Sequence, residues 1–100
     1  MKRAFIITAD AEAEITEAAD WYHRRRAGLG ADFRAAVRAT LATVRADPLR
    51  FPLVLRSAHA ALLQRFPYQI TSTVDDDAVV VFACTHQRRD PQSWMDRLPV

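Results

Sequence analysis

What this chain has little of narrows it before any motif is read. Its 100 residues hold one cysteine, two glycines and one lysine. The single thiol, Cys84, excludes an internal disulfide framework, and its place in an apolar run predicts a buried, reduced side chain. Two glycines argue against a loop-rich fold, and neither sits in a Gly-rich phosphate loop or a serine elbow. No apolar run is long enough to span a membrane. The run after Met1-Lys2-Arg3 is too short for a signal peptide, so the chain reads as a soluble cytoplasmic protein. Lys2 is the only lysine, and the net charge is a modest +2. An argument for an anionic partner must therefore rest on where the arginines gather, not on total charge.

What is present suits one folded domain over residues 1–100. Half the residues are hydrophobic (50%) and 26% are charged, enough for one modest core. Ala4 to Thr8 reads as a short strand. Asp10 is a good helix N-cap, and Ala11, Ile15, Ala18 and Tyr22 follow at helical spacing. Glu12, Glu14 and Glu17 lie early in this helix and Arg24, Arg25 and Arg26 late, as the helix dipole favours. Gly28 and Gly30 are expected to break it. A second helix carries the stripe Leu29, Phe33, Val37, Leu41 and Val44 and stops at Asp47-Pro48, because the residue before proline is pushed out of helical geometry. The short link predicts an antiparallel helical hairpin.

Beyond Pro48 the period becomes strand-like. Strands are expected at Leu53 to Arg56, Ala60 to Phe66, Tyr68 to Val74 and Ala78 to Thr85, with turns at Ser57-Ala58-His59 and Asp75-Asp76-Asp77 and a short helix over Pro91 to Leu98. The class is α+β: an N-terminal strand, a helical hairpin, then a meander of about four strands in one antiparallel sheet that buries the hairpin's stripes on one face.

Chemistry gathers near the end of the chain. If Asp75 opposes Ala78 across the turn, His86 falls opposite Pro67; a loop one residue longer puts it opposite Phe66. Either register sets His86 beside the Phe66-Pro67-Tyr68 segment, with Arg65 near Gln87 or Arg88. Imidazole and phenol are candidates for the proton transfers of RNA cleavage. Arg65, Arg88, Arg89 and Arg56 could hold phosphate, because guanidinium matches phosphate oxygens in bidentate fashion. Each residue also has a plainer reading. His86 fits a structural or solvated strand end, Tyr68 fits core packing, and Arg88-Arg89-Asp90 fits an ion-paired turn. Trp21 and Trp94 read as packing or as partner anchors. Cys84 and His86 share a strand face, but two ligands do not close a metal site; no metal and no cofactor is expected.

Arg65-Phe66-Pro67-Tyr68, the helix with Glu14-Ile15 and Trp21-Tyr22, the helix ending at Asp47-Pro48, and the terminal His86-Gln87-Arg88-Arg89-Asp90-Pro91 with Trp94 and Arg97 stand in an order that resembles the RelE/ParE superfamily of bacterial type II toxins, of the plasmid-stabilisation type. The resemblance implies a growth-stalling toxin and a cognate antitoxin that wraps around it. RelE-like members cut mRNA in the ribosomal A site, whereas ParE-like members poison DNA gyrase by binding. The RelE pattern relies on sheet lysines that this chain does not have. Arg65 with His86 suits a nuclease arrangement, and the Arg88-Arg89-Asp90 ending is closer to ParE. The expectation taken forward is a ribosome-dependent, metal-independent mRNA endonuclease with His86, Tyr68 and Arg65 as catalytic residues and Arg56, Arg88 and Arg89 as RNA- or partner-binding residues. The alternative is gyrase inhibition without bond cleavage.

Overall fold

A computed structural model describes residues 2–99. Strand β1 (Ala4–Ile7) leads into α1 (Ala9–Arg25), which turns back into α2 (Leu29–Ala46). A single 3-10 turn (Pro48–Arg50) precedes β2 (Leu53–Leu55), β3 (Ala58–Leu62), β4 (Tyr68–Val74), β5 (Ala78–His86) and the short helix α3 (Gln92–Met95). The five strands form one sheet in the order β1-β5-β4-β3-β2. The meander from β2 to β5 is antiparallel throughout, while β1 joins it parallel to β5. Parallel pairing needs a long crossover, and the helical hairpin together with the meander supplies it.

Several local expectations change. The cap of α1 is Thr8, whose hydroxyl accepts from the Ala11 N–H at 3.2 Å, and Asp10 sits inside the first turn. Only Gly28 breaks the chain direction, at φ +88°; Gly30 lies within α2, where an added Cβ would come 2.6 Å from the Ala19 carbonyl oxygen. That glycine lets the two helices touch. Arg56 leaves β2 for a left-handed turn (φ 49°), and β3 begins at Ala58, with the ring Nδ1 of His59 2.8 Å from the Phe51 carbonyl oxygen. The expected strand over residues 60–66 stops at Leu62, because Arg65 turns left-handed (φ 71°) and the Tyr68 N–H donates to the Phe66 carbonyl. This curl swings Phe66 into the core, where its ring lies 4.9 Å from Tyr22 and 5.3 Å from Phe33.

The hairpin covers one face of the sheet. Ala11, Ile15 and Ala18 of α1 and Phe33, Val37 and Val44 of α2 pack with Ile70, Val79, Val81 and Cys84. The opposite face carries a smaller cluster of Ala58, Phe82 and Ala83 under Trp94 and Leu98. Strand β5 serves both, which is why it reads as an unbroken apolar run.

One irregularity in β5 sets which of its later side chains reach the helical face. Val74 pairs with Val79 and Ser72 with Val81, but Thr71 pairs with Ala83. Phe82 is an extra residue, a β-bulge. Because side chains alternate, one inserted residue exchanges the faces of everything beyond it. Phe82 and Ala83 both face Trp94, and Cys84 returns to the hairpin side. His86 therefore pairs with Tyr68, one position beyond Pro67 and two beyond Phe66, the partners expected from an unbroken ladder.

Candidate functional site

The bulge brings the imidazole of His86 onto the face held by α1, with ring centroids 5.3 Å from Tyr68. Here β1 has already ended, since its last paired residue, Ile7, lies opposite Val81. The final turns of α1 and the end of β5 are left facing each other across an open cleft of about 490 Å³. Its lining includes Glu14, Glu17, Trp21 and Arg24 from one ridge of α1, at helical spacings of three and four that share a face. Pro67, Tyr68, His86 and Arg89 form the other side.

Glu14 and Arg97 hold this end of the sheet together. The guanidinium donates to both Glu14 carboxylate oxygens, at 2.9 and 3.2 Å, and to the Phe82 carbonyl at 3.0 Å. Glu14 also accepts from the Cys84 N–H at 3.1 Å. The bulge's carbonyl and a nearby amide, both facing the side that β1 no longer covers, are thus paired by side chains. The hydrogen bonds to Glu14 raise the Arg97 pKa above its ordinary value, and the Glu14 and Asp10 charges add to this. Arg89 approaches Glu14 at 3.6 Å. Burial pushes the Cys84 thiol up to about 12, helped by the Glu14 charge, so it stays protonated.

The aromatic side of the cleft is continuous. Tyr22 stacks on Phe33 at 5.3 Å and meets Tyr68 at 6.1 Å. Trp94 packs on Phe82 in the interior, but Trp21 is 43% exposed at the mouth, with the Arg25 guanidinium 4.3 Å from its ring centre. Burial raises the Tyr68 phenol above its ordinary range, with Tyr22, Cys84 and Glu17 adding to the shift and Arg89 opposing it. A phenol held in its neutral form is a poor proton acceptor at neutral pH. His86 Nδ1 accepts from the Arg88 N–H at 3.1 Å, leaving its proton on Nε2.

The expected site residues divide among three places. His86, Tyr68 and Arg89 share the cleft, and Arg88 joins them through its backbone. Arg65 points into a different depression beside α2, 3.8 Å from Asp32. Arg56 lies in the β2–β3 turn, at the end of the sheet where Val74 meets Val79. That is roughly 20 Å along β5 from His86. Glu14, Glu17, Trp21 and Arg24 were not among the expected site residues, although their common helix face was readable from spacing. Arg97, far along the chain from Glu14, left no such signal.

With this geometry in place, the fold is of the RelE/ParE class: an N-terminal strand, a helical hairpin and an antiparallel meander in one sheet. The chain is similar in structure to one from the "chromosomal ParDE TA system from P. aeruginosa", with a TM-score of 0.76 at 11% identity over 85% of this chain and 96% of that one. No curated protein matches the sequence significantly. The family model described as "ParE toxin of type II toxin-antitoxin system, parDE" matches residues 5–91, so the chain belongs to the ParE toxin family of the RelE/ParE superfamily.

Membership in the ParE branch corrects the endoribonuclease expectation, and with it the expectation of an enzyme that cuts ribosome-bound mRNA. The geometry gives a physical reason. The proposed acid–base pair meets, but the phosphate-holding arginine Arg65 opens onto another depression and Arg56 is at the far end of the sheet. Among the described residues no three His, Cys, Asp or Glu side chains gather as a metal site, and no helix is long and apolar enough to cross a membrane.

Proposed function

We propose that this protein is the toxin of a type II toxin–antitoxin pair that arrests growth by binding DNA gyrase, and that a cognate antitoxin neutralises it by binding. The observation that carries this reading is the ParE family match, which runs from β1 to Pro91 and so includes both sides of the cleft. Binding needs a surface with anchors and charge, and the cleft mouth offers both. Trp21 is an exposed aromatic of the type enriched at interface anchors. Arg24 and Arg89 line the cleft beside it, Arg25 lies over its ring, and Arg88 is exposed in the turn after β5, cations suited to an acidic protein surface. On this reading His86 and Tyr68 shape the cleft wall and take no part in bond cleavage.

The test is a supercoiling assay with purified gyrase. The wild-type toxin should inhibit. Arg24→Glu with Arg88→Glu, two exposed positions outside the ion pairs of the fold, should weaken inhibition by about tenfold while leaving the melting temperature unchanged. Undiminished supercoiling at saturating wild-type toxin would remove the gyrase reading.

A further inference from the structure

Arginine gathers at one end of the molecule, beyond the mouth of the cleft. Three segments converge there: the end of α1, the curl before β4 and the turn after β5. The Gln87 N–H donates to the Pro67 carbonyl at 2.8 Å, which ties the turn to the curl. Arg65 precedes Pro67 by two residues, and Arg88 follows Gln87 by one. The Tyr22 ring lies 4.9 Å from that of Phe66, the neighbour of Arg65, and the Arg26 N–H donates to the Tyr22 carbonyl at 3.1 Å. Arg26, Arg65 and Arg88 are all exposed. Among the described residues Arg26 and Arg88 have no carboxylate partner, and Arg65 has only the exposed Asp32 at 3.8 Å. Of the acids nearby, Asp90 is engaged by the Gln92 N–H at 2.9 Å, while Asp75, Asp76 and Asp77 occupy the opposite end of the ladder, beyond the Val74–Val79 pair.

Arg65 is also held in a strained backbone conformation. Its φ of 71° is left-handed, where glycine or asparagine fits with less strain. The weak surface contact with Asp32 does not account for an arginine there. Strain of this kind points to a side chain kept for what it touches. The surface around it suits a polyanion better than a protein. Gln64, Arg65, Gln87 and Arg88 are exposed donors, and no large apolar side chain is exposed in residues 64–67 or 87–90. A protein interface centres on buried anchors, whereas a sugar–phosphate backbone is met by charge and hydrogen-bond donors alone.

We propose that this end of the molecule contacts the sugar–phosphate backbone of duplex DNA, without reading its sequence, an inference that rests on the gyrase reading only in its choice of nucleic acid, since gyrase holds duplex DNA. Arg26 and Arg65 each meet a phosphate, Gln64 and Gln87 add neutral donors, and Arg88 borders both this surface and the cleft mouth.

The test is fluorescence anisotropy of a labelled duplex of about 20 base pairs, titrated with the toxin alone at low salt. Wild type should bind at roughly micromolar concentrations, with a log affinity that falls linearly against log salt. Arg65→Gly removes the guanidinium and keeps the left-handed turn, so the fold is preserved. Its affinity should fall about fivefold or more, and its salt slope should shrink by about 0.9. Adding Arg26→Gln should double the change in slope. Arg56→Gly is the matched control, because it also removes one charge from a left-handed turn (φ 49°) but at the far end of the sheet. It should alter affinity by less than about twofold. Equal losses from Arg56→Gly and Arg65→Gly would mean that net charge alone attracts DNA, and would overturn the site. No binding to the duplex at low salt would overturn it too, and with gyrase inhibition intact would leave the gyrase reading standing. Single-stranded RNA bound at least about tenfold more tightly than the duplex would assign the surface to another ligand and overturn it equally. Duplex binding that Arg65→Gly weakens, by a toxin that does not inhibit gyrase, would keep the site and remove the gyrase reading.

Discussion

The cleft between α1 and β5 and the groove beside α2 are nearly equal in size, about 490 and 510 Å³, yet their charges are arranged in opposite ways. In the cleft, the part-buried Glu14 carboxylate is met by Arg97 and Arg89, and it also holds the Cys84 amide. Those groups are already partnered within the fold. In the groove, the exposed Arg50 and Arg65 lie over the Phe51 and Phe66 rings at 5.6 and 5.5 Å, and Arg65 also approaches the exposed Asp32 at 3.8 Å. The two regions differ in how charge is used: ions that hold a sheet end in shape and ions that stay at the surface. Mutations should divide the same way, those at the cleft base lowering stability and those of the groove arginines leaving it nearly unchanged.

The largest effect on the cleft side is expected from Glu14→Ala. It strands Arg97 and the Cys84 amide together, and breaking a paired, part-buried ion typically costs about 3–5 kcal/mol, reduced here to about 2–3 because both side chains keep some solvent contact. Urea unfolding measures it; a loss below about 0.5 kcal/mol would mean that the pair does not hold the bulge. Gly30→Ala tests the ground shared by both regions, the helix–helix contact between them. A Cβ 2.6 Å from the Ala19 carbonyl oxygen forces the helices apart, at about 1–3 kcal/mol by thermal melting. An unchanged melting temperature would show that the hairpin yields at no cost.

Alkaline pH sharpens the contrast further. The folded Cys84 pKa, about 12, exceeds its ordinary value of 9.0 because the thiol is buried. A group that ionises later when folded stabilises the fold fully below the unfolded value, and that contribution is lost as pH rises through the folded one. Stability should therefore decline between about pH 9 and 12 in wild type, and Cys84→Ala should remove that part of the slope. Arg65→Ala should have the smallest effect, within about 0.5 kcal/mol, as expected of an exposed pair. A larger loss would place Arg65 among the structural ions and erase the distinction.

How far these features are legible in the sequence depends on the same physics. The helical hairpin can be read because each helix has a one-sided stripe, such as Phe33, Val37 and Val44. The reversal at Asp75 can be read because its carboxylate accepts the Asp77 and Ala78 amides at 2.8 Å, a local arrangement that an aspartate run predicts. The bulge at Phe82 cannot. Alternation reports register only where one face is wet, and β5 is buried on both faces around this point. An unbroken ladder accordingly misplaces the partners of His86 by a residue or two, although it still sets the imidazole beside Tyr68. The parallel pairing of β1 is equally hidden, since four residues carry no mark of strand direction. Only a β4–β5 ladder that ran back past Tyr68 to Arg65 would bring Arg65 alongside the residues that follow His86. The left-handed turn that ends β3 early, stabilised by burial of Phe66, comes from tertiary packing that a linear reading does not contain.

Calorimetric titration of purified toxin into purified gyrase tests the central claim most directly. The account predicts saturable binding with a fixed stoichiometry, weakened about tenfold by Arg24→Glu with Arg88→Glu, and recovery of both proteins and any added RNA intact. No detectable association at micromolar concentrations, with RNA cleaved by the toxin instead, would contradict it.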